Sequence, residues 1–445
     1  MNVKEVIEAE IESSGMDGEG VARVDGKVVF IPYTLKGERV RAVIKNVKKK
    51  YATASVIKVL SPSEHRVAPA CPHFYKCGGC DMGHVGAQYR REVLSAELEN
   101  NLKKIANLSC APSEFISSDG SAVVRNKLSF PFGTSVGKTV VGLYRRNTHV
   151  VEPVECVFAS DGVRTVAKIV CDFADERKLP VYSEAAGTGL LRHLVVREAG
   201  GRMTATLVIN AESFDGEDAL AERLPDNVDF FVSPNMRKNN VIMGETARLV
   251  KGEPRLAVEV LGVRAELSPL SFFQVNDVIR DRLYSAVTES LSSDTVVDLY
   301  SGIGITSNLA AKKCGCVVAV ECVPQAVKDA DRTAALNGNS GRITNVCGNV
   351  ESVLPQIAKD VADADVIVDP PRKGCGAAVM NAIAGIEPKR LVYVSCNHAT
   401  MCRDVRIFLD SASAEYKVAA CKIFDMFPCT HHVEVLFVLE RSDAA

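Results

Sequence analysis

The stretch VVDLYSGIG, residues 296–304, decides the fold. An apolar run ends in a turn with two glycines, and GITSNLAAKK (304–313) follows with apolar positions at helical spacing. A buried strand that feeds a glycine turn and then a helix is the opening unit of a parallel α/β sheet, and its ligand crevice lies at the strand's carboxyl end. The pattern repeats along the chain. CVVAVE (316–321) reads as a strand and PQAVKDADRTAALNG (324–338) as a helix; ITNVCG, DVIVDPP and RLVYVSC are further strands with helical intervals. This is a doubly wound, Rossmann-like domain. It lacks the third glycine of the G-x-G-x-x-G dinucleotide fingerprint, but Glu321 ends the second strand about twenty residues after the turn. An acid there can accept hydrogen bonds from both ribose hydroxyls and would repel a 2′-phosphate. Gly302 and Glu321 therefore point to a nucleoside-containing cofactor.

The chemistry collects at the same sheet edge. In DPPRKGCG (369–376), two prolines after the strand VIVD cannot continue a ladder. They turn the chain out over the edge and leave Asp369 at the pocket beside Arg372 and Lys373. RLVYVSCNHATMC places Cys396 at the end of the next strand, where a scaffold-held thiol opens to the crevice; Cys402, six residues on, reads as a helix-packing thiol. KVAACKIFDMFP and HHVEVLFVLE are successive strands, expected as an antiparallel pair, the usual ending of a class I methyltransferase sheet. His431, His432 and Glu434 open the last of them. The histidines have no carboxylate or cysteine at ligand spacing beside them. Glu434 runs into VLFVL, so it should be partly desolvated, which raises a carboxyl pKa and suits proton transfer.

The 445 residues, 47% hydrophobic and 24% charged, allow two to four domains of ordinary globular composition. The N-terminus lacks the apolar core of a signal peptide, and no run approaches a membrane span. A cytoplasmic protein is expected, so fifteen cysteines are not a disulfide framework. Cys110, Cys171, Cys314, Cys316, Cys347 and Cys421 read as small buried hydrophobes. The net charge of −2 conceals Lys36, Arg39, Arg41, Lys45, Lys48, Lys49, Lys50 and Lys58 against Glu38 alone. That bias suits phosphate contacts or, equally, a solvated strand face. It falls on short β-rich segments over 1–60, expected as an OB-like barrel. Helices are expected over 88–107 and roughly 275–291, with a mixed, mostly antiparallel α+β region over 123–265. CPHFYKCGGC (71–80) holds three cysteines in ten residues. From spacing alone, zinc and an iron–sulfur cluster both remain open.

The chain resembles the RNA uracil-C5 methyltransferases, and within them the branch acting on 23S ribosomal RNA. The resemblance rests on the basic N-terminal barrel (a TRAM domain), C-P-x-F-x-x-C-G-G-C, R-N-K (125–127), L-R-H-L-V-V-R (191–197), F-Q-V-N (273–276), D-x-Y-x-G-x-G, D-P-P-R-x-G, V-S-C-N and H-V-E. It implies S-adenosylmethionine as methyl donor and 5-methyluridine as product. It implies a [4Fe–4S] cluster on Cys71, Cys77, Cys80 and Cys156, structural or RNA-positioning in role. Gln274, Tyr300, Glu321 and Asp369 would bind the cofactor or the methyl-transfer centre. Asn349 stands where many members have Asp, Ile305 where some have a polar residue, and Cys429 replaces a common histidine. Cys396 would attack uracil C6, and Glu434 would remove the C5 proton. The expected domains are 1–60 (barrel), 61–270 (central, with the cysteines) and 271–445 (catalytic), in a monomer. Alternatives are a tRNA uridine-C5 methyltransferase with the same mechanism, a DNA or protein methyltransferase on this fold, and a non-catalytic iron–sulfur RNA-binding protein.

Overall fold

Alternation of buried and exposed residues in Val6–Glu10, Arg39–Val47 and Tyr51–Ser61 builds a six-stranded antiparallel-rich barrel sheet around Ile7, Ala22, Val29, Ile31, Val40 and Ile44. In the computed structural model the described residues are all except 16–17, 119–124, 147, 154, 359–360, 362 and 443–445. Val123 and Val124, at the head of one expected strand, lie outside them.

The central region is a seven-stranded sheet from Lys127–Ser135 to Arg248–Lys251. Most neighbours are antiparallel, but Arg202–Ile209 runs parallel to Val228–Pro234, because the helix Glu217–Arg223 carries the chain back across the sheet. The helix Asp161–Glu176 packs Val163, Val166, Val170 and Phe173 on this sheet, with Ser160 Oγ accepting from Val163 N as its cap.

The last region is an eight-stranded sheet. Its order is Ile343–Cys347, Cys316–Glu321, Thr295–Leu299, Asp365–Val368, Arg390–Ser395, Glu434–Arg441, Tyr416–Phe424, Glu114–Ile116. Strand order reverses between Thr295–Leu299 and Asp365–Val368, so the carboxyl ends of these two flank the crevice. Tyr416–Phe424 and Glu434–Arg441 pair antiparallel, as expected for this fold. His431 and His432 lie in the connecting loop, and the strand begins at Glu434.

Residues 87–116 pack with this eight-stranded sheet. The helix Ala87–Asn101 continues through a π-turn, Leu102–Ala106, and buries Leu94, Leu98 and Leu102 in the same core as Val366, Val368 and Tyr393. Glu114–Ile116 then extends the sheet edge beside Tyr416–Phe424. Helix Asp277–Glu289 covers the other face. Among the described residues no helix is long and apolar enough to cross a membrane.

Candidate active site

The glycine turn is shaped by close packing. Gly304 has φ +78°, and a Cβ there would lie 3.1 Å from Ala330 Cβ. Tyr300 precedes the turn with φ 63°. Gly302 N donates to Glu321 Oε2 (3.1 Å) and Val323 N to Oε1 (2.8 Å), so Glu321 ties the turn to the second strand. Each carboxylate oxygen keeps a further lone pair for a ligand hydroxyl. Asp298, the first residue of D-x-Y-x-G-x-G, is buried and accepts from Ser307 Oγ at 2.6 Å. Burial first, and then the Glu321 charge, push its carboxyl up to about 7. Asn349 precedes the helix Val350–Ile357, and Ile305 is buried as the first residue of the helix Ile305–Ala310.

Gln274 is buried and held from far away in sequence. Asn126 Nδ2 donates to Gln274 O (2.8 Å) and to Asp277 Oδ1 (2.7 Å), and Asn126 N donates to Val275 O (3.0 Å). The R-N-K and F-Q-V-N segments thus form one unit.

Cys396 and Glu434 come together through strand register. Ser395 faces Val435 across antiparallel strands, so the next residue outward on each side is Cys396 and Glu434. Cys396 is half-buried; burial, with the Glu434 and Asp369 charges adding, pushes its thiol up to about 11, and Arg372 opposes. Glu434 is 4% exposed, and its Oε2 has no hydrogen-bond partner. Burial and then Asp369 hold its carboxyl well above the ordinary range, against Arg372. Asp369 is raised likewise, by burial and Asp298. Asp298, Asp369 and Glu434 thus form a set of raised carboxyls whose charged forms a cation in the crevice would favour and which would stabilise that cation.

The loop 369–376 is fixed by a residue the sequence does not advertise. Buried Asp404 accepts from Cys375 N (2.6 Å), Gly376 N (3.3 Å), Tyr393 Oη (2.8 Å) and Arg403 Nη2 (2.7 Å). Arg403 also donates to Lys373 O (2.9 Å). At Gly374, φ +78°, a Cβ would stand 2.4 Å from Asp404 Oδ2. Asp404 gives no motif signal, because it holds the loop through backbone groups 28 and 29 residues away.

Cys71, Cys77, Cys80 and Cys156 line one cavity of about 310 Å³, with Arg125, Lys127 and Val275 also in its wall. The donor set suits a group that takes several thiolates. Among the described residues, however, no three or more His, Cys, Asp or Glu side chains close to metal-holding spacing. Burial raises the thiols of Cys77, Cys156 and Cys80, the last to about 12. Of the other cysteines, Cys314, Cys402 and Cys421 are buried as expected. Cys316 and Cys347 are exposed, because they sit at the ends of strands near the sheet's edge.

Known proteins match this architecture. Residues 2–57 match the TRAM domain family, and residues 354–442 the tRNA (uracil-5-)-methyltransferase family. A chain of Caldanaerobacter subterraneus subsp. tengcongensis named an uncharacterized RNA methyltransferase is 35% identical, over 99% of each chain. One of the same description from Halalkalibacterium halodurans is 34% identical, over 99% of this chain and 98% of the other. The crystal structure of Pyrococcus abyssi tRNA (uracil-54, C5)-methyltransferase with S-adenosyl-L-homocysteine superposes with a TM-score of 0.77. It covers 97% of this chain and 100% of that one at 24% identity.

Proposed function

Because this chain belongs to the RNA uracil-C5 methyltransferases that carry a TRAM domain, we propose that it methylates C5 of a uridine in 23S ribosomal RNA through a covalent adduct on Cys396. The family supplies the coarser part: an S-adenosylmethionine-dependent enzyme acting on RNA uracil. The observation that supports the finer part is the register that brings Cys396 and Glu434 out at adjoining strand ends beside Asp369.

Uracil C5 is a weak nucleophile. Cys396 reacts as the thiolate, its proton lost to solvent; attack of Sγ on C6 saturates the C5–C6 bond and makes C5 enolate-like. S-adenosylmethionine, when bound, supplies an electrophilic methyl group on a sulfonium. Glu434 then takes the C5 proton, the C5–H electron pair restores the double bond, and Sγ leaves C6 as thiolate. The target base must leave its RNA stack to reach this pocket. Gln274, Tyr300, Gly302, Glu321 and Asn349 line the cofactor side in this reading, and Asp369 faces the transfer centre.

The cysteine cavity would hold the iron–sulfur cluster on Cys71, Cys77, Cys80 and Cys156, as a cross-link that fixes this segment. Protein isolated without oxygen should carry roughly four irons and visible absorbance, both lost in Cys77→Ser. A colourless protein with one zinc would instead favour the tetrahedral alternative.

The cysteine motif beside the TRAM domain favours ribosomal RNA; the tRNA enzyme among the structural neighbours favours transfer RNA as the second reading. Methyl transfer from labelled S-adenosylmethionine to unmodified 23S rRNA and, separately, to unmodified tRNA decides between them. Incorporation as 5-methyluridine in 23S rRNA, absent with Cys396→Ala, is expected. Incorporation in tRNA alone overturns the substrate and keeps the mechanism. RNA binding with no incorporation in either favours a non-catalytic RNA-binding protein.

A further inference from the structure

We propose that Arg90, a residue of the helix that follows the cysteine segment, positions the Glu434 base by clamping the loop that leads into its strand; this rests on Glu434 acting as the base. Glu434 Oε2 has no hydrogen-bond partner, so the placement of that oxygen depends on the backbone beneath it. That backbone leaves the loop between Phe424 and Glu434, the ends of the last two strands. The loop's shape comes from side chains more than 330 residues earlier.

Arg90 is 6% exposed and aims its whole guanidinium at this loop. Nη1 donates to Asp425 Oδ2 (2.7 Å) and Nη2 to Asp425 Oδ1 (2.9 Å). Nε and Nη2 donate to Thr430 O (3.0 and 2.6 Å), and Nη2 also to Phe427 O (3.4 Å). A second strap comes from the end of the cysteine segment. Asp81 N and Met82 N donate to Cys429 O (3.2 and 2.9 Å), and His431 N donates to Asp81 Oδ1 (2.9 Å). His431 Nδ1 stands 2.6 Å from Asp81 Oδ2, and since a carboxylate only accepts, Nδ1 carries the proton. Cys429, between the straps, is held at φ 64°, a conformation uncommon for a non-glycine residue. A planar fork that satisfies a carboxylate and two carbonyls at once is something an ammonium cannot reproduce.

The consequence is specific to one step. A displaced Glu434 leaves attack at C6 and methylation at C5 intact but slows removal of the C5 proton. Sγ then stays bonded to C6, and a protein–RNA adduct builds up that survives denaturation. A merely structural role for Arg90 would lower the active fraction without building adduct.

The test compares Arg90→Lys, Asp425→Asn, Glu434→Gln and Cys396→Ala in the full chain with RNA and S-adenosylmethionine, reading adduct on denaturing gels and turnover. Arg90→Lys and Asp425→Asn should lower kcat by on the order of tenfold to a hundredfold with KM nearly unchanged. Both should accumulate adduct, Glu434→Gln more so, and Cys396→Ala none. If Glu434→Gln traps adduct but the folded Arg90→Lys or Asp425→Asn protein does not, the clamp is refuted and the base stands. If Glu434→Gln itself yields no adduct, the base reading fails, and the clamp with it. Should Arg90→Lys unfold, the isosteric Asp425→Asn tests the clamp in its place, with the same two outcomes.

Discussion

The Cys396 thiol holds its proton at neutral pH in the free protein. It is pushed up to about 11 by burial and by the Glu434 and Asp369 carboxyls. Removing a negative neighbour favours thiolate, so Glu434→Gln should lower this pKa and speed alkylation of Cys396 at pH 8–9. Arg372→Ala should do the reverse, because its charge is the one that opposes. Peptide mass spectrometry of alkylation rates checks both signs, with exposed Cys316 as reference; unchanged rates in both variants would contradict the electrostatic account. Cys396, Asp369 and Glu434 are legible in the sequence because each ends or opens an apolar strand. Arg90, Asp425 and Asp404 are not. Their identities as buried anchors depend on partners 335 residues away, or on backbone groups that carry no sequence signal.

At the scale of elements, the loop 369–376 takes its conformation from Asp404 on the helix His398–Ser411. Asp404→Ala would leave two backbone N–H groups and a tyrosine hydroxyl without their acceptor, and the Arg403 guanidinium with Lys373 O alone. A loss of about 3 kcal/mol is expected, read as a lower midpoint in chemical denaturation. The parallel strands and the helix over 88–107 follow from apolar periodicity. The helix Asp161–Glu176 carries the same kind of signal, a serine cap and valines at helical spacing, but the strand-like runs on either side of it blur the region into a mixed pattern. The three-residue strand Glu114–Ile116 is too short to leave a pattern, and it exists only because the sheet edge at Lys422–Phe424 offers it a ladder.

Across the whole molecule, barrel and central sheet meet at a cleft of about 730 Å³; among the described residues its walls include Lys58, Lys76, Arg146, Tyr33 and Tyr75 and no acidic side chain. The Arg146 guanidinium lies 5.5 Å from the Tyr33 ring, and Tyr75 is 54% exposed. Cations for phosphates beside open aromatic faces suit single-stranded RNA. Lys76→Ala with Arg146→Ala should weaken RNA binding and flatten its logarithmic salt dependence by ~0.7 per lost contact, leaving kcat at saturating RNA unchanged. Filter binding over a salt series checks this; an unaltered slope would place the RNA elsewhere. The basic barrel is legible as a charge run. The cleft is not, since it joins residues from well-separated stretches of the chain.

The most direct test of the central claim uses a 23S rRNA fragment with 5-fluorouridine in place of uridine. Fluorine at C5 cannot leave as a proton does, so a covalent methylation intermediate has no exit. With S-adenosylmethionine present, mass spectrometry of the digested product should find a methylated 5-fluorouracil bonded to the peptide containing Cys396. Attachment at another cysteine, or methylation with no attachment at all, would contradict the account.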